Sequence, residues 1–159
     1  MKLKIIACLV ILCSWALPAA EPGEPVRAEL NGLRVAIDPD SGGLRELEYD
    51  GVKFLQAGTG SASLLDAAYP GYGFEPLRLG ARHSRAARVE VADGGILITW
   101  PSLGMSRKFE PKGSVAAMVR IRPAADGRSL TLAASVENRS ELTIPQVLFP
   151  DLAGLQPFG

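Results

Sequence analysis

The sequence predicts an all-β fold, an antiparallel β-sandwich, on three observations. Four Asn-Gly or Asp-Gly pairs (Asn31-Gly32, Asp50-Gly51, Asp93-Gly94 and Asp126-Gly127) stand between apolar-alternating segments. Such pairs tolerate the positive φ angles that tight hairpins demand. The flanking segments alternate with a period of two, which gathers apolar side chains on one sheet face. Beyond the first twenty residues, no stretch sustains a helical i, i+3, i+4 spacing for three turns. Ser61 to Tyr69 comes nearest, but it is short and runs into Pro70.

Composition agrees with this class. The 159 residues are 47% hydrophobic and 21% charged, enough for a packed core, and 17 Gly with 12 Pro suit a turn-rich chain. Seventeen basic residues balance seventeen acidic ones, which excludes a polybasic nucleic-acid binder.

The elements follow in order. Lys2 and Lys4 precede an apolar run from Ile5 to Leu17, and small residues at Ala19 and Ala20 close it. This is the tripartite pattern of a secretory signal peptide over residues 1–20, with an apolar stretch short for a membrane span. An uncleaved anchor and lipid attachment at Cys8 or Cys13 are the weaker readings. Cleavage makes the product secreted or periplasmic, with no membrane segment left. It leaves a small negative charge, since all 17 acidic residues stay, and removes both cysteines. Disulfides and thiolate metal sites are then excluded.

Residues 21–26 read as a linker, and 27–159 as one β-sandwich domain of nine or ten strands. Leu33, Val35 and Ile37 alternate after the first turn pair. Val89 and Val91 lead into the third, and Ile96, Ile98 and Trp100 lead out of it. Val115, Ala117, Val119 and Ile121 form one face of a later strand. Leu130, Leu132, Ala134 and Val136 form the matching face of the next. Residues 58–88 are the least regular part and read as loops at one end of the sandwich. The final residues, 148–159, are apolar and lack a closing turn, so the domain is expected to be truncated there. An incomplete sandwich would expose unpaired edge strands and favour self-association.

The hairpin order resembles a known module. Ala28 to Asp38 around Asn31-Gly32, then Ser41-Gly42-Gly43-Leu44, then Leu47 to Leu55 around Asp50-Gly51, is similar to the opening of galactose-mutarotase-like β-sandwich domains. Leu130 to Ser140, followed by Ile144 to Pro150, resembles a later strand pair of the same domains. The resemblance implies an incomplete super-sandwich that sits N-terminal to a catalytic barrel in glycoside hydrolases. It implies carbohydrate as ligand and the missing barrel as partner.

It does not imply catalysis by this chain. Mutarotases pair a Glu base with a His acid, but nothing around His83, the one histidine, matches their motifs. Glycoside hydrolysis needs two carboxylates about 5–10 Å apart. Asp66, Glu75, Glu110 and Asp151 lie near irregular segments, and the sequence brings no two together; each is expected as solvated surface charge. Asp38-Pro39-Asp40-Ser41-Gly42-Gly43 lacks the oxygen ligand and distal Glu of an EF-hand, so a turn is expected, with a weaker non-EF cation site as the alternative. No catalytic residue, metal site or cofactor is predicted.

For sugar contact, aromatic faces and planar polar groups are the suitable tools. Tyr69, Tyr72 and Phe74 cluster within six positions, Arg78 follows, and Trp100 stands before Pro101. These five are the candidate ligand-binding residues, weighed against the simpler reading that the aromatics pack the end of the sandwich. Three roles follow from the whole. The chain is a non-catalytic carbohydrate-associated module of a secreted glycoside-hydrolase-like protein, a free-standing glycan-binding module, or a non-functional remnant.

Overall fold

A computed structural model describes residues 23–55, 62–69, 77–85, 87–106, 112–152 and 155. The predicted signal segment, Tyr72, Phe74, Glu75 and Glu110 lie outside the described residues. The chain is all-β, built from antiparallel sheets. The described residues contain twelve strands, more than the nine or ten expected, and one short 3-10 turn.

The first sheet has the order β1-β2-β3-β4, from β1 (Val26–Leu30), β2 (Leu33–Ile37), β3 (Leu44–Tyr49) and β4 (Val52–Lys53). Its two hairpins close at Asn31-Gly32, with φ 52° and 77°, and at Asp50-Gly51, with φ 50° and 77°. Both central residues are left-handed, as a two-residue turn matching the strand twist requires. The second sheet, β11-β10-β8-β7, joins β7 (Arg88–Ala92), β8 (Gly95–Trp100), β10 (Val115–Pro123) and β11 (Leu130–Asn138). Asp93-Gly94 closes β7 to β8 in the same way, with φ 52° and 68°.

Asp126-Gly127 differs. It does join β10 to β11, but within a longer loop in which only Gly127 has a positive φ, of 68°. There the Asp126 carboxylate accepts the backbone N–H groups of Arg128 and Ser129, both at 2.9 Å. The side chain takes over the work that two left-handed residues do elsewhere.

The alternation read from the sequence carries over into burial. Val115, Ala117, Val119 and Ile121 on β10 are buried, and so are Ile96, Ile98 and Trp100 on β8. With Leu30, Val35, Ile37 and Leu44 of the first sheet they form one core. β11 departs from the expectation: Leu130, Leu132 and Val136 are only half-buried and Ala134 is exposed, because β11 lies at the sheet's edge.

The region expected to be loops supplies most of a third sheet. β5 (Asp66–Tyr69) and β6 (Leu77–Gly80) pair with each other, β12 (Gln146–Leu148) flanks β5, and β9 (Gly104–Met105) flanks β6. The sequence signal fails here because both faces of β5 are largely covered: Asp66, Ala67 and Tyr69 are all buried. A strand covered on both faces loses its alternation. No helix of the described residues is long and apolar enough to cross a membrane.

The two turn systems at one end are tied together. Asn31 Nδ2 donates to the carbonyls of Ala124, at 3.1 Å, and Ser129, at 2.9 Å. Asn31→Asp keeps a residue suited to the left-handed turn but turns the donor into an acceptor facing two carbonyls. Loss of the bonds with an unpaired acceptor left behind is expected to cost about 1–2 kcal/mol. The check is a lower urea midpoint with an unchanged slope.

Candidate functional site

Of the five residues put forward from the sequence, Tyr69, Arg78 and Trp100 are described, and they do not form one surface; Tyr72 and Phe74 lie outside the described residues. Trp100 is 0% exposed and Tyr69 is 1% exposed. Trp100 Nε1 donates to the Ser41 carbonyl at 2.7 Å, and the Tyr69 hydroxyl bonds Ser140 Oγ at 2.8 Å. Both rings belong to the core, with no face open for a sugar to stack on. That corrects the expectation for these two. Arg78 is exposed on β6 and lines a shallow depression of about 80 Å³ with Ala68, Gln146 and Leu148.

The turn at Asp38 is a turn, as expected. The Asp38 carboxylate accepts the N–H groups of Asp40 and Ser41, each at 2.9 Å, and Arg45 Nε donates to its other oxygen at 2.6 Å. Burial alone would raise this carboxyl's pKa. The bonds from Ser41, Arg45 and Asp40 together outweigh it and hold the group below its ordinary value. Gly42, with φ 71°, is required next to it, since a Cβ there would lie 2.6 Å from the Trp100 ring.

What the sequence could not bring together lies around Asp66. Register pairs Asp66 on β5 with Gly80 on β6. Because Gly80 has no side chain, the carboxylate lies across it; a Cβ at that position would come within 1.8 Å of Oδ1. The 3-10 turn Ala81–His83 then places Arg82 over the same spot. Arg82 Nη2 is 3.0 Å from Asp66 Oδ2 and 2.7 Å from Asp151 Oδ2. Two carboxylates expected as solvated charge therefore share one guanidinium. Asp66 is almost wholly buried, and Asp151 partly so.

Burial pushes the Asp66 carboxyl up, against the opposing pull of Ser63, Arg82 and, more weakly, His83; the Asp151 charge adds to the rise. The hydrogen bond from Ser63 works against that rise. Ser63 Oγ lies 2.6 Å from Asp66 Oδ1 and 3.0 Å from the Leu65 carbonyl. Asp66 Oδ2 accepts no aligned hydrogen bond among the described residues. His83, half-buried beside this group, is pushed down by burial, with Arg82 and Arg78 adding to the effect and Asp66 opposing it.

A retaining glycosidase holds its two carboxylates about 5–5.5 Å apart with the sugar between them. Here one guanidinium bridges the two carboxylates. The arrangement is an ionic staple joining β5, the 3-10 turn and the segment after β12. Asp151 N–H also donates to the Leu64 carbonyl at 3.2 Å. Among the described residues, no three His, Cys, Asp or Glu side chains gather as metal ligands would.

A different surface is both open and polar. On the outer face of β1, β2 and β3, Arg27, Glu29, Arg34, Glu46 and Glu48 surround a trough of about 440 Å³. Cross-strand register sets Arg34 opposite both Glu29 and Glu48. Ion pairs of 3.2 Å (Arg34–Glu48) and 3.5 Å (Arg27–Glu46) follow from that register. The sequence contained the signal, as the polar half of each alternating strand, but not the concavity.

No family model matches this chain, and neither a curated protein nor a solved structure matches it.

Proposed function

We propose that this chain is an exported, non-catalytic carbohydrate-associated β-sandwich module that works beside a glycoside-hydrolase-type catalytic domain. Support for the carbohydrate association comes from a hairpin order in the sequence that resembles that of galactose-mutarotase-like domains and from the trough on β1–β3. Guanidinium and carboxylate groups alternate along that trough, and planar polar groups of this kind bind sugar hydroxyls in pairs. The observation that carries the non-catalytic reading is the Arg82 staple. It commits both Asp66 and Asp151 to one guanidinium.

Affinity electrophoresis of the chain in gels containing soluble polysaccharides tests the reading. Retardation on at least one polysaccharide is expected, reduced in Arg34→Ala and in Glu46→Gln, with no reducing sugar released. Retardation lost in Tyr72→Ala but kept in Arg34→Ala would move binding from the trough to the segment after β5. Free migration in every gel would overturn the glycan association.

A further inference from the structure

The edges of the three sheets are unequal. Five of the six edge strands are short or guarded: β4 and β9 have two residues, β12 has three, and β1 and β7 have five each and carry charges. β11 has nine, and from Leu130 to Val136 it contains no charge and no proline. Its register with β10 is unbroken over nine pairs, so no bulge turns the edge aside. Among the described residues, no strand pairs with its outer side. Long, regular, uncharged edges are those that recruit another strand.

The geometry points to a second copy of this chain as that strand. Arg139 N–H donates to the Ser114 carbonyl, the pair that continues the β10–β11 register. Antiparallel alternation then directs the backbone groups of odd-numbered β11 residues at β10. Those of Leu130, Leu132, Ala134, Val136 and Asn138 point outward. A two-fold axis through Ala134 pairs even residues with even: Ala134 with its twin, Leu132 with Val136, and Leu130 with Asn138. Every outward N–H along the strand then meets an outward carbonyl.

The same register suits the side chains. Leu132 and Val136, half-buried in one copy, would cover each other across the junction, and Ala134 would meet only Ala134. On the opposite face Thr131 would meet Glu137 and Ala133 would meet Ser135, so no like charges oppose. An axis between two residues would instead set outward groups against inward ones and leucine against polar side chains. Joining the two edges makes one eight-stranded sheet and, being two-fold, closes the assembly at a dimer.

Sedimentation velocity on the full chain, with Cys8 and Cys13 replaced by serine, is expected to give a species of twice 16.8 kDa. Ala134→Pro removes an N–H that makes no bond to β10, so it should abolish the dimer without lowering the melting temperature. Ala134→Lys, which brings two ammonium groups to the axis, should do the same and decides the matter if the proline variant does not fold. Ala134→Cys should form an interchain disulfide on mild oxidation, because Cα atoms of such a pair lie about 5.5 Å apart, whereas Ala133→Cys should not. A monomer at every concentration, a dimer that survives both Ala134→Pro and Ala134→Lys, or open-ended oligomers would overturn the proposal.

Discussion

Trp100→Ala is expected to lower the melting temperature by about 10–15 °C. The ring is completely buried where β8 faces the Asp38–Leu44 turn, against Gly42 and Ile98. Removing a buried aromatic of this size costs about 3–5 kcal/mol, since the cavity collapses only partly. The Ser41 carbonyl also loses its indole partner. Trp100→Phe, which keeps most of the volume but not the N–H, should recover more than half of the loss. Differential scanning calorimetry of both variants separates packing from the hydrogen bond. A residue that presented its face to a sugar would behave the other way, losing ligand affinity with the melting temperature unchanged.

Arg82→Ala should have the next largest effect, and one that depends on pH. It strands a nearly buried carboxylate beside a second one. Breaking a fully buried ion pair costs about 3–5 kcal/mol; the exposure of Arg82 and the ability of Asp66 to take up a proton reduce this to about 2 kcal/mol. The sign with pH follows from linkage. The Asp66 pKa is raised in the folded chain, so the native state holds its proton longer than the unfolded chain does. Above the ordinary value of 3.8, stability therefore falls as pH rises through the folded pKa. Arg82 opposes that rise, so its removal widens the window. The deficit of Arg82→Ala should be small near pH 4 and grow toward neutrality, with Arg82→Lys recovering part of it. Thermal melts across that range check the slope, and a deficit independent of pH would remove the ionic staple as its cause.

Most of the first two sheets was legible in the sequence, because their determinants are local. Asn31-Gly32, Asp50-Gly51 and Asp93-Gly94 fold as tight two-residue turns since their residue types tolerate positive φ. The alternation in β8 and β10 became burial because each strand has one wet face. The third sheet was hidden: Asp66, Ala67 and Tyr69 of β5 are buried whichever way they point, and an alternating pattern cannot survive that. The candidate site was hidden for another reason. Arg82 and Asp151 are 69 positions apart, and nothing local to either one identifies the other. Trp100 could be read as surface or core from its place before Pro101, and only the opposing Gly42 turn decided for core.

By itself, the sequence determined the antiparallel class, three of the tight turns and the inward face of the central strands. These depend on backbone preference and period, which a residue carries wherever it stands. Tertiary structure alone decided which charges meet, which aromatics are sealed in, and which edge stays open. Those outcomes depend on how distant strands are laid side by side, and a side chain's partner exists only once the sheets have packed.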